Sequence, residues 1–297
     1  MKYQDRERDL MQPSHRLHQE FVDLSRQPHE QPLAGLVSTV VRIDAEVRRT
    51  VRPASPAIHA LLQHLERAGF DGAPRFLGID GHGRERLTFI PGTTFDRSTP
   101  QVIPDEVLPA IGRLIRRYHD AVTGFSLPDD LHWHAAPERA VPGDFIVCHN
   151  DLSPRNTVFR DGQPLALIDW DMAYEAPAIW DLAHAVWQFG PVLADRDFAS
   201  SGWPGAPPHD RRLDRMRLLI DGYGLSASGR VGFAAVLALR IDRTATGIRM
   251  LAAEGHPVHQ KLVADGVVDQ IERSRDWTRE HDAAIDAALT TFQTLTP

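Results

Sequence analysis

The sequence predicts an α+β fold of two unequal lobes, a small one built on antiparallel strands and a larger, mostly helical one. Two observations predict it. In the first third of the chain, short runs alternate apolar and polar residues, as strands with one buried face do. Beyond residue 100, apolar residues recur mainly at helical spacing. At 297 residues the chain is long enough for each lobe to have its own core.

The elements of the small lobe follow in order from these patterns. Residues 36–53 predict a hairpin that turns at Asp44 and Ala45. Ser55 and Pro56 predict the start of a helix that ends near Gly69, with the serine as its N-terminal cap. Two further strands are predicted within 74–80 and 85–90. We therefore expect a weakly helical N-terminal extension over residues 1–30, the small lobe over 31–90 and the large lobe over 91–297.

The large lobe is predicted to open with a helix over 104–122. Short buried strands follow at 145–148, 157–159 and within 164–169, and helices occupy most of the chain beyond 177. The segment 201–210 reads as a loop because it is rich in glycine and proline. The His-Trp-His run at 132–134 has no partner acids spaced for a metal, and we interpret it as surface.

Composition indicates a cytoplasmic protein that binds neither nucleic acid nor membrane. The net charge is −7, whereas phosphate backbones require a basic surface. The longest apolar run, at 231–239, is far shorter than the roughly 20 residues that span a bilayer. The single cysteine, Cys148, cannot form an internal disulfide and is predicted to be a small buried apolar residue.

Polar residues cluster between the short buried strands of the large lobe. The spacing is His149-x-Asp151-x-x-x-x-Asn156, followed by Asp169 and Asp171. Phosphoryl transfer needs a carboxylate that orients the attacking hydroxyl and oxygen ligands for Mg²⁺. A loop held between buried strands could position Asp151 and Asn156 for that chemistry. Each residue taken alone could instead be a turn former, and a metallohydrolase using His149, Asp151 and Asp169 is an alternative.

These two motifs, HNDLSPRN and LIDWD, resemble the catalytic loop and metal motif of the aminoglycoside phosphotransferase and choline kinase family. The resemblance implies a bilobal protein-kinase-like fold and extends over about residues 33–240. It implies Asp151 as catalytic base, His149 as a brace of the loop and Asp181 as its support from beneath. It implies Asn156 and Asp169 as Mg²⁺ ligands. Asp171 is predicted either to contact a second metal ion or only to tune the first.

The nucleotide site expected from this resemblance departs from the usual pattern. Kinases of this fold carry a lysine on the third strand, paired with a glutamate on the following helix. No lysine lies between Lys2 and Lys261. Arg49 is the predicted replacement, with Arg48 as the alternative, and His59 takes the expected place of the glutamate. The remaining predicted nucleotide contacts are Gly35 and Ser38 in the phosphate loop, Val47 against adenine, and Phe89 and Ile90 in the hinge.

The predicted function is therefore an ATP- and Mg²⁺-dependent kinase of a small-molecule hydroxyl. The acidic second part of the chain, with 28 acidic against 20 basic residues beyond position 90, would suit a cationic acceptor such as an aminoglycoside-like antibiotic. Another small metabolite is the alternative acceptor. Glu175, Asp195 and Asp197 are candidate contacts for the amines of a cationic acceptor. The alternative is a nucleotide-binding regulator that has lost catalysis, because the strand lysine and its glutamate are missing. ATP is not distinguished from GTP, nor one oligomeric state from another.

Overall fold

The computed structural model of the chain describes residues 31–33, 40–95, 102–201 and 203–291. The predicted extension over residues 1–30 lies outside the described residues, as do Gly35 and Ser38. No helix within the described residues is long and apolar enough to cross a membrane.

The small lobe is a five-stranded antiparallel sheet with one helix packed against it. Its strands are β1 (Gln31–Leu33), β2 (Val40–Ile43), β3 (Glu46–Thr50), β4 (Phe76–Ile79) and β5 (Arg84–Thr88), in the spatial order β1-β2-β3-β5-β4. The helix is α1 (Ser55–Arg67), which buries an apolar stripe that includes Ile58, Leu61 and Leu65. The predicted hairpin turn at Asp44 is confirmed, and Asp44 has a left-handed backbone with φ of 56°.

The N-terminal cap predicted for α1 is wrong. The helix begins at Ser55, and Ala54 is its capping position, without a side-chain hydrogen bond. The Ser55 hydroxyl instead accepts a hydrogen bond from the Arg52 backbone N–H at 3.0 Å. The serine therefore closes the turn between β3 and the helix, and the proline that follows it enters the first helical turn as predicted.

The large lobe is mostly helical, with two small antiparallel strand pairs. Its helices are α2 (Leu108–Val122), α3 (Ala178–Phe189), α4 (His209–Tyr223), α5 (Ala227–Arg230), α6 (Phe233–Ala253), α7 (Pro257–Ala264), α8 (Val267–Glu280) and α9 (Asp282–Thr290). The strand β6 (Phe145–Cys148) pairs with β9 (Tyr174–Pro177), and β7 (Thr157–Arg160) pairs with β8 (Gln163–Leu167). The sequence did not predict β9, which is short and pairs with a strand distant along the chain.

Two further expectations concern single residues of this lobe. Cys148 is fully buried, as predicted, and burial raises the pKa of its thiol well above the usual value. The interpretation of residues 132–134 as surface is wrong for the middle residue. Trp133 is buried and packs in the main core, beside Phe125, whereas His132 and His134 on either side are exposed.

The chain crosses from the small lobe to the large one along a linker that lies against β7. Thr93 and Phe159 exchange backbone hydrogen bonds of 2.9 and 2.8 Å. A Cβ at Gly92 would lie 2.5 Å from the Phe159 carbonyl oxygen, so the close approach requires glycine at that position. The linker thereby ties the small sheet to the strand that directly follows the polar loop.

Candidate active site

The polar loop between β6 and β7 brings Asp151 and Asn156 into direct contact. The Asn156 side-chain nitrogen donates to Asp151 Oδ2 at 2.6 Å and to the Asp151 backbone carbonyl at 2.9 Å. A short 3₁₀ helix, Pro154–Asn156, carries the asparagine back toward the aspartate. The spacing of four residues between them is therefore the length of one compact loop.

Asp181 supports this loop from α3. It is fully buried, and its two oxygens accept hydrogen bonds from the backbone N–H groups of His149, at 2.8 Å, and Asn150, at 2.9 Å. Burial alone would raise the pKa of Asp181, but the hydrogen bond and charge of His119 lower it below its usual value. Asn150 has a left-handed backbone with φ of 62°, a conformation that costs free energy unless its surroundings hold it.

His149 joins the loop to the segment that carries Asp169. Its Nε2 donates to the Ile168 carbonyl at 3.1 Å, and its Nδ1 lies 3.4 Å from the Asp151 backbone N–H. The Ile168 N–H in turn donates to the Asn156 carbonyl at 2.9 Å. These bonds place the two sequence motifs side by side, and the bracing role of His149 stays a prediction.

Asp169 follows β8 in a left-handed conformation, with φ of 62°, and its side chain is 53% exposed. Partial burial and the nearby carboxylate of Asp171 raise its pKa, Arg49 opposes that rise, and Asp151 adds to it. The carboxylates of Asp171 and Asp151 thus lie close enough to Asp169 to repel its charge. A cation at this point would relieve that repulsion.

Arg49 reaches this acidic cluster from β3 of the small lobe. Its guanidinium lies 2.7 Å from Asp171 and 3.4 Å from Asp169. Burial alone would lower the pKa of Arg49, but the carboxylates of Asp171, Glu85 and Asp169 raise it above its usual value. Arg48, the alternative, pairs instead with Glu46 and Asp80. Of the two arginines, Arg49 is the one that the structure brings to the predicted site.

Arg49 pairs with a buried carboxylate on the adjacent strand β5, and not with one on a helix. Glu85 is buried and lies directly opposite Arg49 in the register of β3 and β5. Its Oε1 is 2.6 Å from Arg49 Nε, and its Oε2 is 2.5 Å from His59 Nε2 on α1. The sequence alone did not single out Glu85. The available signal was its position two residues before Leu87, on the buried face of an alternating strand.

Two of the three predicted metal ligands, Asn156 and Asp169, have the chemistry that suits a hard divalent cation. Asn156 and Asp169 offer uncharged and carboxylate oxygens, as Mg²⁺ prefers, and Asp169 stands beside carboxylates that crowd it. Asp171 is differently engaged, because Arg49 and Arg52 both pair with it, at 2.7 and 3.1 Å. Among the described residues, no three His, Cys, Asp or Glu side chains are grouped as a metal site. Asn156 and Asp169 therefore remain the predicted ligands, because Asn156 carries no charge for an arginine to neutralise and Arg49 lies closer to Asp171 than to Asp169.

The predicted adenine contacts lie along β3 and the segment after β5. Val47 is partly buried and packs against the main core. Phe89 donates its backbone N–H to the Ala45 carbonyl at 2.8 Å, and its ring lies 3.8 Å below the Arg42 guanidinium. That N–H is already engaged within the lobe. Ile90 follows it and is partly exposed.

A second residue that the sequence analysis missed lies on α3, one helical turn beyond Asp181. His184 is buried, and its Nε2 is 3.6 Å from Asp151 Oδ1. The i, i+3 spacing from Asp181 places both side chains on the same face of the helix, which is the signal that could have found it. Burial and the charge of Arg240 lower the pKa of His184 to about 4, although Asp151 opposes this.

Two of the acids suggested for an acceptor amine are already paired with arginines. Asp195 lies 2.6 Å from Arg212. Asp197 receives two hydrogen bonds from Arg273, at 2.8 and 2.6 Å. Glu175 lies on β9, opposite Val147. Of the three, Glu175 is thus the one placed beside the strand that leads into the polar loop.

Comparisons with known proteins place this site in a family. A family model described as the phosphotransferase enzyme family (APH) matches residues 124–217, which include Asp151, Asn156 and Asp169. The trifolitoxin immunity protein of Rhizobium leguminosarum bv. trifolii is 33% identical over 256 residues, which cover 85% of this chain and 95% of that protein. The chain belongs to the APH phosphotransferase family. The predicted enzyme class, a phosphotransferase with an alcohol group as acceptor, is confirmed by this membership.

Solved structures of APH-family and related kinases share the architecture. A choline/ethanolamine kinase family protein from Mesorhizobium loti superposes with a TM-score of 0.59 at 15% identity, over 88% of this chain and 92% of that one. Choline kinase from Cryptosporidium parvum superposes with a TM-score of 0.56 at 9% identity, over 91% and 94% of the two chains. The predicted bilobal protein-kinase-like fold is confirmed, and this likeness speaks for the fold alone.

Proposed function

We propose that this APH-family protein transfers the γ-phosphoryl group of ATP to a hydroxyl of a small molecule, in a reaction that requires Mg²⁺. One observation carries the proposal. Asp151 and Asn156 are hydrogen-bonded to each other, the segment that carries Asp169 is hydrogen-bonded to the same loop through Ile168, and Arg49 reaches Asp169 from the small lobe. A positioned carboxylate, oxygen ligands and a phosphate-binding cation are the parts that phosphoryl transfer requires.

Each of these residues has a distinct part in the proposed reaction. Asp151 orients the acceptor hydroxyl and takes its proton as the hydroxyl oxygen bonds to the γ-phosphorus and the bond to ADP breaks. Arg49 binds the phosphates through its planar N–H donors. Asn156 and Asp169 would hold Mg²⁺, which when bound neutralises charge on the transferring group. Asp181 and His149 hold the conformation of the polar loop through their hydrogen bonds to its backbone and to Ile168.

Nucleotide binding must compete with the ion pairs that Arg49 makes in this structure. Its contacts to Asp171 and Asp169 neutralise part of the acidic cluster. Mg²⁺ held by Asn156 and Asp169 would supply positive charge at this point. Arg49 could then turn its guanidinium from the carboxylates toward phosphate. Glu85 would keep Arg49 in place during the exchange, because it holds the Nε side of the guanidinium.

The acceptor is proposed to be a small, toxic compound, such as an aminoglycoside-like antibiotic. Support comes from the relative, which by its name confers immunity to trifolitoxin. A structure of the kinase fold with gentamicin bound, at a TM-score of 0.52, shows that the fold accommodates such a ligand. Phosphorylation would protect a cell by changing the charge of the compound in the cytoplasm.

A nucleotide-binding regulator without catalysis is the second candidate. It is favoured by the absence of a lysine from β3 and by the engagement of Asp171 with two arginines. The buried pair of Arg49 and Glu85 argues against the regulator, because it keeps a cation and a carboxylate partner at the position where kinases need them.

A coupled assay of ADP release separates the two candidates. The purified protein is incubated with ATP, with and without Mg²⁺, and with a panel of aminoglycosides and other hydroxylated amines, while calorimetry measures ATP binding. The kinase proposal predicts Mg²⁺-dependent ADP release with at least one acceptor and a phosphorylated product. Binding of Mg·ATP without transfer to any acceptor of a broad panel would favour the regulator.

A further inference from the structure

His184 is a buried polar residue beside the Asp151 carboxylate. The proposed reaction gives His184 no role. The residue is 4% exposed, and neither ring nitrogen has a hydrogen-bond partner in the described part of the chain. A buried polar group without a partner costs free energy. Its Nε2 lies 3.6 Å from Asp151 Oδ1, just beyond hydrogen-bond distance. Such contacts are often long without substrate and shorten in the reactive complex.

The two oxygens of Asp151 are approached by two different elements. Oδ2 accepts from Asn156, within the loop, whereas Oδ1 faces His184 on α3. A single hydrogen bond leaves a carboxylate free to rotate about its Cβ–Cγ bond. A donor on each oxygen removes that freedom and sets the direction of the lone pair that takes the proton.

The surroundings hold His184 in the neutral form. Burial and the charge of Arg240 outweigh Asp151 and Asp181, so the pKa of His184 falls to about 4. Arg240 is itself buried, and its Nη2 donates to the Asn150 carbonyl at 2.6 Å, next to the catalytic aspartate. A neutral imidazole can donate one N–H to the carboxylate without neutralising its negative charge.

We propose that His184 is a positioning residue for phosphoryl transfer, whose Nε2–H donates to Asp151 Oδ1 and directs the carboxylate at the acceptor hydroxyl. This inference rests on the proposed function, because it assigns the histidine an effect that acts through Asp151. It predicts an effect on the rate of transfer and none on nucleotide binding, since His184 contacts neither Arg49 nor Asp169.

The test compares three substitutions. His184→Phe keeps the ring volume and removes the donor, and it should lower kcat about 10- to 100-fold, the loss expected for a hydrogen bond to a charged group. The KM for ATP and the calorimetric affinity for Mg·ATP should stay within about twofold. His184→Gln, whose amide N–H can reach the same oxygen, should restore most of kcat. Trp187→Phe, which alters packing beside His184, is the control and should leave kcat within about twofold.

The decisive comparison adds Asp151→Asn. If His184 acts through the carboxylate, His184→Phe should cost nothing further in the Asp151→Asn background. An unchanged kcat in His184→Phe, a loss that glutamine does not restore, or an equal loss in both backgrounds would overturn the inference. If His184→Phe does not fold, His184→Ala replaces it in the same comparison. Transfer that survives Asp151→Asn within a few-fold would instead contradict the proposed function itself.

Discussion

Arg49, the proposed replacement for the strand lysine of kinases of this fold, makes contacts that a lysine could not make together. The planar guanidinium reaches Glu85, Asp171 and Asp169 through different nitrogens, at 2.6, 2.7 and 3.4 Å. A lysine ammonium is a single point charge and could not pair closely with all three carboxylates at once. The arginine is therefore matched to a carboxylate on the adjacent strand, whereas the lysine of other kinases is matched to one on a helix.

Replacing Glu85 with glutamine should destabilise the protein and weaken nucleotide binding. The change leaves Arg49 and His59 without their shared carboxylate in a buried position, and we expect a loss of about 1–3 kcal/mol in the free energy of unfolding. The KM for ATP should rise, because the guanidinium is less firmly held. Denaturant unfolding and steady-state kinetics measure the two effects.

Glu46→Gln is the matched control on the same sheet. Glu46 pairs with Arg86 and Arg48, but its side chain is 22% exposed, and such pairs contribute under about 1 kcal/mol. Equal losses of stability in Glu85→Gln and Glu46→Gln would contradict the account of Arg49.

How far the sequence predicts individual site residues depends on whether their partners are local. Asp151, Asn156 and Asp169 stand in two compact motifs, so their order and spacing suffice to propose a site. Glu85 and His184 could not be chosen in the same way, because their significance arises from the register of β3 against β5 and from the approach of α3 to the loop. Alternation and i, i+3 spacing indicate which face such residues occupy, and leave open what they meet there.

At the scale of elements, α2 and α4 cross with their backbones in contact. A Cβ at Gly112 would clash with the Leu219 carbonyl oxygen, and one at Gly222 would clash with the backbone of Pro109. Each helix therefore has a glycine where the other passes. His119 lies on this buried face of α2 and donates to Asp181 at 3.2 Å, so the helix crossing also positions a partner of Asp181 beneath the polar loop.

Gly112→Ala should destabilise the protein although alanine is the better helix former. Propensity alone favours alanine by about 1 kcal/mol, but the added methyl group has no room, and overpacking costs about 1–3 kcal/mol or more. Gly247→Ala, in α6, is the matched control because a Cβ there meets nothing within 4 Å. Thermal or denaturant unfolding should show a loss for the first and a small gain for the second. A gain for both would mean that the two helices are not in backbone contact.

Element boundaries show where sequence patterns are weakest. Periodicity predicted α1, α2 and the strands β6 to β8 close to their observed bounds. It missed β9 because four residues ending in proline carry little strand signal, and the pairing with β6 spans the whole polar loop. It misassigned Ser55 because a serine before a proline suits both a helix cap and a turn, and the Arg52 N–H decides between them.

At the scale of the whole molecule, the buried ionisable groups beneath the polar loop make stability depend on pH. The pKa of His184 is lowered to about 4 in the folded chain, against about 6.5 in an unfolded one. Between these values the unfolded state binds more protons than the folded state, so the free energy of unfolding falls as the pH falls. The stabilisation is present above pH 6.5 and is lost toward pH 4.

Urea unfolding measured from pH 8 to pH 4.5 should therefore show a decline that begins near pH 6.5. His184→Gln, which cannot titrate, should remove about 1–3 kcal/mol of that decline. Asp181, whose pKa is lowered, contributes to stability at higher pH and loses this contribution only below about pH 4. Parallel profiles for the wild type and His184→Gln would show that the histidine is not held neutral.

The two-lobed architecture was predictable as a whole because it follows from a change of hydrophobic period along the chain. Alternation over the first part and helical spacing over the rest are properties of composition and order that need no contact information. The arrangement of the lobes around Arg49 and the acidic cluster depends on tertiary contacts, and the sequence supplied only the candidates for it.

The central claim, that Asp151 handles the acceptor proton beside a metal held by Asn156 and Asp169, is tested most directly by Asp151→Asn. Phosphorylation of an identified acceptor is measured together with the affinity for Mg·ATP. We predict that kcat falls about 100- to 10,000-fold, the usual contribution of a general base, while Mg·ATP binds as it does to the wild type. Transfer that persists within a few-fold of the wild-type rate would contradict the claim.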